Sequence, residues 1–146
     1  MSALKQIFTA FLLSILIVPI ANSQPANLDK QKLTESDPEQ DYAILIRKIN
    51  HLNAALKTVR MMEEEDDNAI NRFEVVICGK GVTQLNNNAD LVGKANQAGI
   101  TLSACGMSLN KFSISRDELP QGVGVVANGL IRMFNLQEQG YKTITL

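Results

Sequence analysis

The sequence predicts an α/β fold in which a five-stranded, mainly parallel sheet carries helices on both faces. Short apolar runs rich in β-branched residues alternate with segments of helical periodicity, and this alternation is typical of parallel strands joined by crossover helices. In the run FEVVICG the apolar residues do not alternate with polar ones, as expected for a strand covered on both faces. The chain has 146 residues, a length that suits one domain.

Five segments are predicted as strands because each is a short run of apolar and β-branched residues bounded by turn-forming residues. In parallel sheets of this kind, all strands end at the same edge, where ligand sites form. The five segments are YAILI (42–46), FEVVICG (73–79), ITLSACG (100–106), VGVVANG (123–129) and KTITL (142–146).

Three helices are predicted between these strands. The first follows Asn50, the second begins near Asn88 and stops at Gly99, and the third is capped by Asn128 and ends at Gly140. Residues 107–122 are predicted to be irregular, with a short capped turn at residues 115–118. The apolar positions are Leu52, Ala55, Leu56, Val59 and Met62 in the first helix, Leu91, Val92, Ala95 and Ala98 in the second, and Leu130, Ile131, Met133 and Phe134 in the third.

The first residues have the layout of a secretory signal peptide. Lys5 precedes an apolar run from Ile7 to Ile20, and small residues follow up to Ser23. Because this run is short for a bilayer span, we expect cleavage after Ser23; an uncleaved N-terminal anchor is the alternative. The predicted organisation is a signal peptide at 1–23, a flexible mature N-terminus at 24–41 and a folded domain at 42–146. The mature protein is expected in the periplasm and free of the membrane.

Composition argues against two classes of function. The formal net charge is −1, Trp is absent, and no basic patch is present, so no nucleic-acid partner is expected. No group of His, Cys, Asp and Glu residues has the spacing of metal ligands. We therefore expect neither a metal site nor a tightly bound cofactor.

Three predicted strands end in glycine-containing turns at the same edge of the sheet. The two cysteines, Cys78 and Cys105, and the single histidine, His51, are expected at this edge too. We therefore regard the turn residues as the candidate binding residues: Gly79, Gly106, Met107, Asn128 and Gly129.

Each candidate side chain has two readings. Cys105 is either a nucleophilic thiol, since it precedes a turn with free N–H groups and Gly106 leaves it accessible, or an inert buried cysteine. Cys78 is either a partner thiol for Cys105, provided that their strands are neighbours, or a buried strand residue. His51 is either a proton donor or base beside the thiolate, or an exposed residue of the first helical turn.

Three segments resemble the DsrE/DsrF-like family of sulfur-relay proteins: VVICGKGV, AGITLSACGMSL and LPQGVGVVANGLIRMFNLQEQGYKTITL. The resemblance covers residues 42–146. It implies a three-layer α/β/α sandwich and a homo-oligomer, commonly a trimer or hexamer. It also implies that the cysteine after the third strand, here Cys105, carries a persulfide that it receives from one protein and passes to another.

The leading interpretation is an exported, sulfurtransferase-like carrier of sulfane sulfur on Cys105. Its partners would be sulfur donor and acceptor proteins or small sulfane-sulfur compounds. Backbone N–H groups near Gly106 and Met107 would stabilise the anion, and Cys78 is a possible resolving thiol. Two alternatives stay open: a non-catalytic oligomeric module that binds a small ligand or partner, and a thiol–disulfide protein that uses both cysteines.

Overall fold

The computed structural model of the protein describes residues 40–65 and 70–146. The predicted signal peptide and residues 24–39 of the predicted flexible segment lie outside the described residues. The first strand begins at Gln40, two residues before the predicted start of the folded domain. Within the described ranges, no helix is long and apolar enough to cross a membrane.

Strands and helices alternate along the described chain. Short 3₁₀ segments lie at Gly79–Gln84, Asn86–Asn88 and Arg116–Glu118. The main elements are β1 (Gln40–Ile46), α1 (His51–Glu65), β2 (Ile70–Ile77), α2 (Ala89–Gln97), β3 (Ile100–Cys105), α3 (Gly106–Lys111), β4 (Val123–Val126), α4 (Gly129–Glu138) and β5 (Lys142–Thr145).

The strands form one five-stranded sheet in the order β4-β3-β2-β1-β5, and every pairing is parallel. The predicted α/β fold is therefore confirmed. The order makes β2 and β3 neighbours, and their register pairs Ile77 with Ala104. The next residue on each strand path is a cysteine, Cys78 after β2 and Cys105 at the end of β3, so the sheet itself brings the two cysteines side by side.

One face of the sheet is covered by α1 and α2. The apolar positions predicted for these helices supply most of the cover, since Leu52, Ala55, Leu56, Val59, Val92 and Ala95 are all buried. They join the side chains of the strands in a single apolar cluster. The strand residues in that cluster include Ile44, Ile46, Val75, Ile77, Leu102 and Ala104.

The opposite face is covered by α4. Met133 and Leu136 of this helix pack with Ala43, Leu45, Val76 and Tyr141 in a smaller apolar cluster. Of the four apolar positions predicted for the helix, only Met133 is buried, because Leu130, Ile131 and Phe134 face away from the sheet and are more than half exposed. The helix itself and its Asn128 cap are confirmed, since the Asn128 side chain accepts N–H bonds from Leu130 and Ile131.

One local prediction needs correction. Residues 106–111 form α3 directly after β3, within a connection predicted to be irregular. The second helix begins at Ala89, next to Asn88 as predicted, and the Asn88 amide donates to the Gln84 carbonyl. The turn at Ser115 is confirmed, and it carries a capping box with Glu118.

Candidate functional site: a thiol pair at the carboxyl edge of the sheet

A cavity of about 270 Å³ lies where β1, β2 and β3 end and where α3 and α4 begin. Such a position, at the carboxyl ends of parallel strands, is where α/β proteins form ligand sites. Both cysteines of the chain line it. The lining consists of Leu45, Arg47, Cys78, Gly79, Cys105, Met107, Ser108, Asn128 and Leu130.

Cys105 lies next to the first residues of two helices, α3 and α4. It ends β3 and is the N-cap residue of α3, and its Sγ accepts a hydrogen bond of 3.2 Å from the N–H of Gly129, the first residue of α4. Backbone N–H groups at a helix start carry partial positive charge, which favours a thiolate over a thiol. The residue is only 5% exposed, so it is reached through the cavity.

The pKa of the Cys105 thiol is lowered from its ordinary value. Burial acts in the opposite direction and would raise the pKa. Hydrogen bonding from the Ser108 side chain, the Gly129 and Ser108 N–H groups and the Cys78 side chain outweighs it. Since the thiolate is the reactive form of cysteine, this environment favours nucleophilic chemistry at Cys105.

Ser108 is held in place by the turn after β2. Its Oγ accepts a hydrogen bond of 2.8 Å from the N–H of Gly79, which leaves the hydroxyl proton free for another acceptor. That proton is available to the Cys105 sulfur, in agreement with the lowered pKa of the thiol. Gly79 adopts a φ of +57°, a conformation that glycine reaches without strain.

Cys78 has the opposite character. Burial, together with the neighbouring Cys105, raises the pKa of its thiol to about 12, while the charge of Arg47 acts to lower it. Cys78 therefore stays protonated at neutral pH and can donate its proton towards the Cys105 thiolate. Both cysteines are free thiols in the structure, so the site is a dithiol in which Cys105 ionises more readily than Cys78.

Gly129 has no side chain, and this leaves room for the side chains of both cysteines. A Cβ atom at this position would lie 2.3 Å from the Sγ of Cys78 and 3.3 Å from the Cβ of Cys105. The first contact is too close for any side chain. The start of α4 can therefore approach both cysteines only because residue 129 is glycine.

The rim of the cavity is apolar and is organised by Asn128. Its side-chain oxygen caps α4, accepting from the N–H of Leu130 at 2.9 Å. Its amide nitrogen donates to the Sδ of Met107 at 3.0 Å. Met107 and Leu130 are 60% and 53% exposed, so they flank the approach to the buried thiol.

Most of the residues predicted for the site meet at this cavity. Cys78, Cys105, Gly79, Met107 and Asn128 line it. The two remaining glycines give their neighbours room: Gly129 does so at the sulfurs, and a Cβ on Gly106 would lie 3.0 Å from the Val126 carbonyl oxygen.

Three polar groups near the site in the sequence have other positions or partners in the structure. His51 is the first residue of α1 and does not belong to the cavity lining; its Nδ1 is buried and lacks a hydrogen-bond partner among the described residues. The N–H of Met107 donates to the Ala127 carbonyl and is not available to the thiolate. Lys111, a cation close to Cys105 in sequence, lies over the Phe112 ring.

Two site residues were missed by the sequence analysis. Ser108 follows Cys105 by three residues, and a helix beginning at residue 106 would have put its side chain near the thiol. Arg47 is the charged residue of the lining, and it follows β1 directly, at the same edge of the sheet. Ser108 was missed because α3 was not predicted. Arg47 could have been identified from the strand pattern, because it directly follows β1.

The described residues contain no group of three or more His, Cys, Asp or Glu side chains that could hold a metal ion.

The sequence of the chain matches a known protein family. The model of the DsrE/DsrF-like family matches residues 35–146. This chain belongs to the DsrE/DsrF-like family. No curated protein matches the chain.

Three solved structures share the fold. The MTH1491 protein of Methanobacterium thermoautotrophicum, described as a protein of unknown function, has 23% identity and a TM-score of 0.61, covering 73% of this chain and 100% of its own. The ychN protein of E. coli has 14% identity and a TM-score of 0.56, with coverages of 73% and 100%. The BT1422 protein of Bacteroides thetaiotaomicron, also described as of unknown function, has 15% identity and a TM-score of 0.51, with coverages of 73% and 95%.

Proposed function

We propose that the protein carries sulfane sulfur as a persulfide on Cys105. The observation that carries this proposal is the hydrogen bond of 3.2 Å from the Gly129 N–H to the Cys105 Sγ. It aims the start of α4 at the sulfur, and with Ser108 it lowers the thiol pKa. Membership of a family that includes sulfur-relay proteins supports the same conclusion.

The proposed loading step is a nucleophilic displacement. The Cys105 thiolate attacks the outer sulfur of a donor R–S–SH, the S–S bond of the donor breaks, and R–S⁻ leaves. The product is Cys105–S–SH. An acceptor thiolate then attacks the outer sulfur, which forms an acceptor persulfide and returns Cys105 to the thiolate.

The cavity limits which donors can take part. Cys105 is 5% exposed, so the attacked sulfur has to enter a space of about 270 Å³. A small sulfane-sulfur compound fits, as does a persulfide on an extended protein segment. Arg47 in the lining favours donors with a negative charge.

Export to the periplasm, cleavage after Ser23 and assembly into a homo-oligomer are part of the same proposal. N-terminal sequencing of protein from the periplasmic fraction tests the first two, with Gln24 as the expected first residue. Light scattering coupled to size-exclusion chromatography tests the third, and a monomeric mass would contradict it.

Intact-mass spectrometry tests the carrier function. The purified protein is treated with a sulfane-sulfur donor such as thiosulfate or glutathione persulfide, excess donor is removed, and the mass is recorded. We expect an adduct of one sulfur atom in the wild type and in Cys78→Ser. The Cys105→Ser variant, in which a hydroxyl replaces the thiol at the same position, should show no adduct.

An adduct that persists in Cys105→Ser would disprove the carrier function. Failure of every donor to modify the wild type would leave the cavity to a non-catalytic binding role. Its size and its apolar rim, formed by Met107 and Leu130, are the features that favour that second candidate.

A further inference from the structure

We propose that Cys78 resolves the persulfide on Cys105, releasing hydrogen sulfide and leaving a Cys78–Cys105 disulfide. This inference rests on the proposed persulfide at Cys105. It adds an activity to sulfur carriage: when no acceptor takes the sulfur, the protein reduces it to sulfide with its own two thiols.

The sheet places the two cysteines at bridging distance. Ile77 and Ala104 are paired across β2 and β3, and Cys78 and Cys105 are the residues that follow. Neighbouring strands lie about 4.8 Å apart, whereas a disulfide tolerates Cα atoms up to about 7 Å apart. No change of strand order or register is needed for the bridge.

Both side chains also point to the same face. Cys78 packs against the cluster beneath α4, and the Cys105 Sγ accepts the N–H of Gly129 in α4. Residue 129 is within contact distance of both cysteines, measured from an ideal Cβ placed on it. Because that Cβ is absent, no side chain stands at the start of α4 to separate the two sulfurs.

The different pKa values of the two thiols favour a fixed order of reaction, in which Cys105 reacts with the donor first and Cys78 acts in the second step. Cys105 is the thiol that ionises more readily and meets the donor, while Cys78 keeps its proton, with a pKa of about 12. A protonated Cys78 does not compete for the donor, since thiols are poor nucleophiles. Its proton is then available to the sulfide that leaves in the second step.

The resolving step balances without an external oxidant. The outer sulfur of Cys105–S–S⁻ takes the proton of Cys78, and the Cys78 thiolate so formed attacks the Sγ of Cys105. An S–S bond forms between the cysteines, the bond to the outer sulfur breaks, and the outer sulfur leaves with the electron pair as HS⁻. The sulfane sulfur is reduced, the two cysteine sulfurs are oxidised, and an external dithiol would return the disulfide to the starting dithiol.

A single-turnover experiment tests this step. The fully reduced protein is loaded with donor in oxygen-free buffer, excess donor is removed rapidly, and samples are followed by intact mass and by a sulfide assay. We expect the adduct of one sulfur to disappear as a species lighter by two hydrogens appears, with the same rate constant and one sulfide released per chain. Dithiothreitol should reverse the loss of two hydrogens and permit a second round.

The Cys78→Ser variant is the matched control, because its hydroxyl keeps a hydrogen-bond donor at position 78 but cannot form a disulfide. It should load with sulfur, keep the adduct and release no sulfide. A wild-type adduct as long-lived as that of Cys78→Ser would overturn the inference while leaving the carrier function intact. So would peptide mapping that finds the extra sulfur moved to Cys78. Absence of the adduct and of the lighter species in both proteins would instead mean that the carrier function itself is wrong.

Discussion

The two faces of the sheet differ in what they bury. The face under α1 and α2 is an uninterrupted apolar cluster. The face under α4 has a smaller apolar cluster and also buries Glu74 and Ser103, with the two cysteines at one end. Since apolar burial is the main source of stability and polar groups are needed for chemistry, the first face is suited to hold the fold and the second to react.

The polar side chains beneath α4 form a network of hydrogen bonds with one another. Arg132 of α4 forms a two-bond ion pair with Glu74 of β2, at 3.0 Å and 2.7 Å, and the Ser103 hydroxyl donates to the same carboxylate at 2.7 Å. Glu74 is almost fully buried, so this arrangement depends on every partner being present. It fixes α4 over β2 and β3, and thereby fixes the helix start that contacts Cys105.

The largest effects should come from truncating the apolar side chains, with different consequences on the two faces. Leu52 in α1 and Leu136 in α4 are both fully buried, and replacing either by Ala should lower the free energy of unfolding by about 2–5 kcal/mol. Only Leu136→Ala should also change the alkylation rate of Cys105, because α4 supplies the Gly129 N–H. Denaturant unfolding and iodoacetamide kinetics measure the two effects; equal changes in alkylation rate would show that the faces are not separate.

The next effect should come from breaking the buried ion pair. Arg132→Met leaves the Glu74 carboxylate buried without its partner, which should lower the free energy of unfolding by about 3 kcal/mol. Arg72→Met is the matched control, since Arg72 pairs with Asp41 at an exposed position, where an ion pair contributes little to stability. The free energies of unfolding of the two variants, measured in urea, should differ clearly. Similar values would mean that the buried network adds nothing to stability.

Glycine substitutions test the space around the sulfurs. Gly129→Ala places a Cβ 2.3 Å from the Cys78 Sγ, and we expect a loss of about 1–3 kcal/mol from overpacking together with slower sulfur loading. At Gly93, in α2, an added Cβ would meet nothing within 4 Å, so Gly93→Ala should stabilise by about 0.5–1 kcal/mol. Thermal unfolding distinguishes the two, and a neutral Gly129→Ala would remove the steric argument.

A smaller effect should follow from removing the Ser108 hydroxyl. Hydrogen bonding from Ser108 lowers the pKa of Cys105, so Ser108→Ala should raise that pKa and shift the pH profile of alkylation to higher pH. At pH 7 the alkylation rate should fall, because a smaller fraction of Cys105 is then in the reactive thiolate form. Asn110→Ala, at an exposed position of the same helix, should leave the profile unchanged; an unshifted profile in Ser108→Ala would exclude this role.

The smallest effect concerns the charge at the mouth of the cavity. Arg47→Gln should slow the reaction of Cys105 with the dianion thiosulfate by about threefold and leave its reaction with neutral iodoacetamide nearly unchanged, because a partly solvated charge attracts anions only weakly. Lys48→Gln is the control, since Lys48 is not part of the lining. Equal slowing with both reagents would show that Arg47 acts on the structure instead.

Local patterns were enough to predict the sheet and much of the site. The uninterrupted run before Cys78 identified β2, and the Asn128-Gly129 pair identified the start of α4. The order of the strands is a long-range property that no local pattern carries, so the contact between Cys78 and Cys105 came only from the structure. The helix α3 was missed because six residues are too few to display a periodicity, and with it the role of Ser108.

The exposed side of α4 shows a different limit. Leu130, Ile131 and Phe134 were expected from their apolar character to be helix positions, and they are, but the sheet is covered by Met133 and Leu136. Hydrophobicity identified the helix but not its buried face. At 3.6 residues per turn the four predicted residues form one stripe about 160° wide, and only Met133, at its edge, faces the sheet together with Leu136.

Positions 78 and 129 are far apart in the sequence, but the residue that fits at one depends on the residue at the other, because Gly129 has no side chain where the Cys78 sulfur lies. An added carbon at residue 129 would displace the Cys78 sulfur, so natural variants should change the two together. Gly129→Ala combined with Cys78→Ala should be more stable than the sum of the separate effects predicts. A relative with a larger residue at position 129 would be expected to lack the second thiol, so that one position reports whether the other cysteine can be there at all.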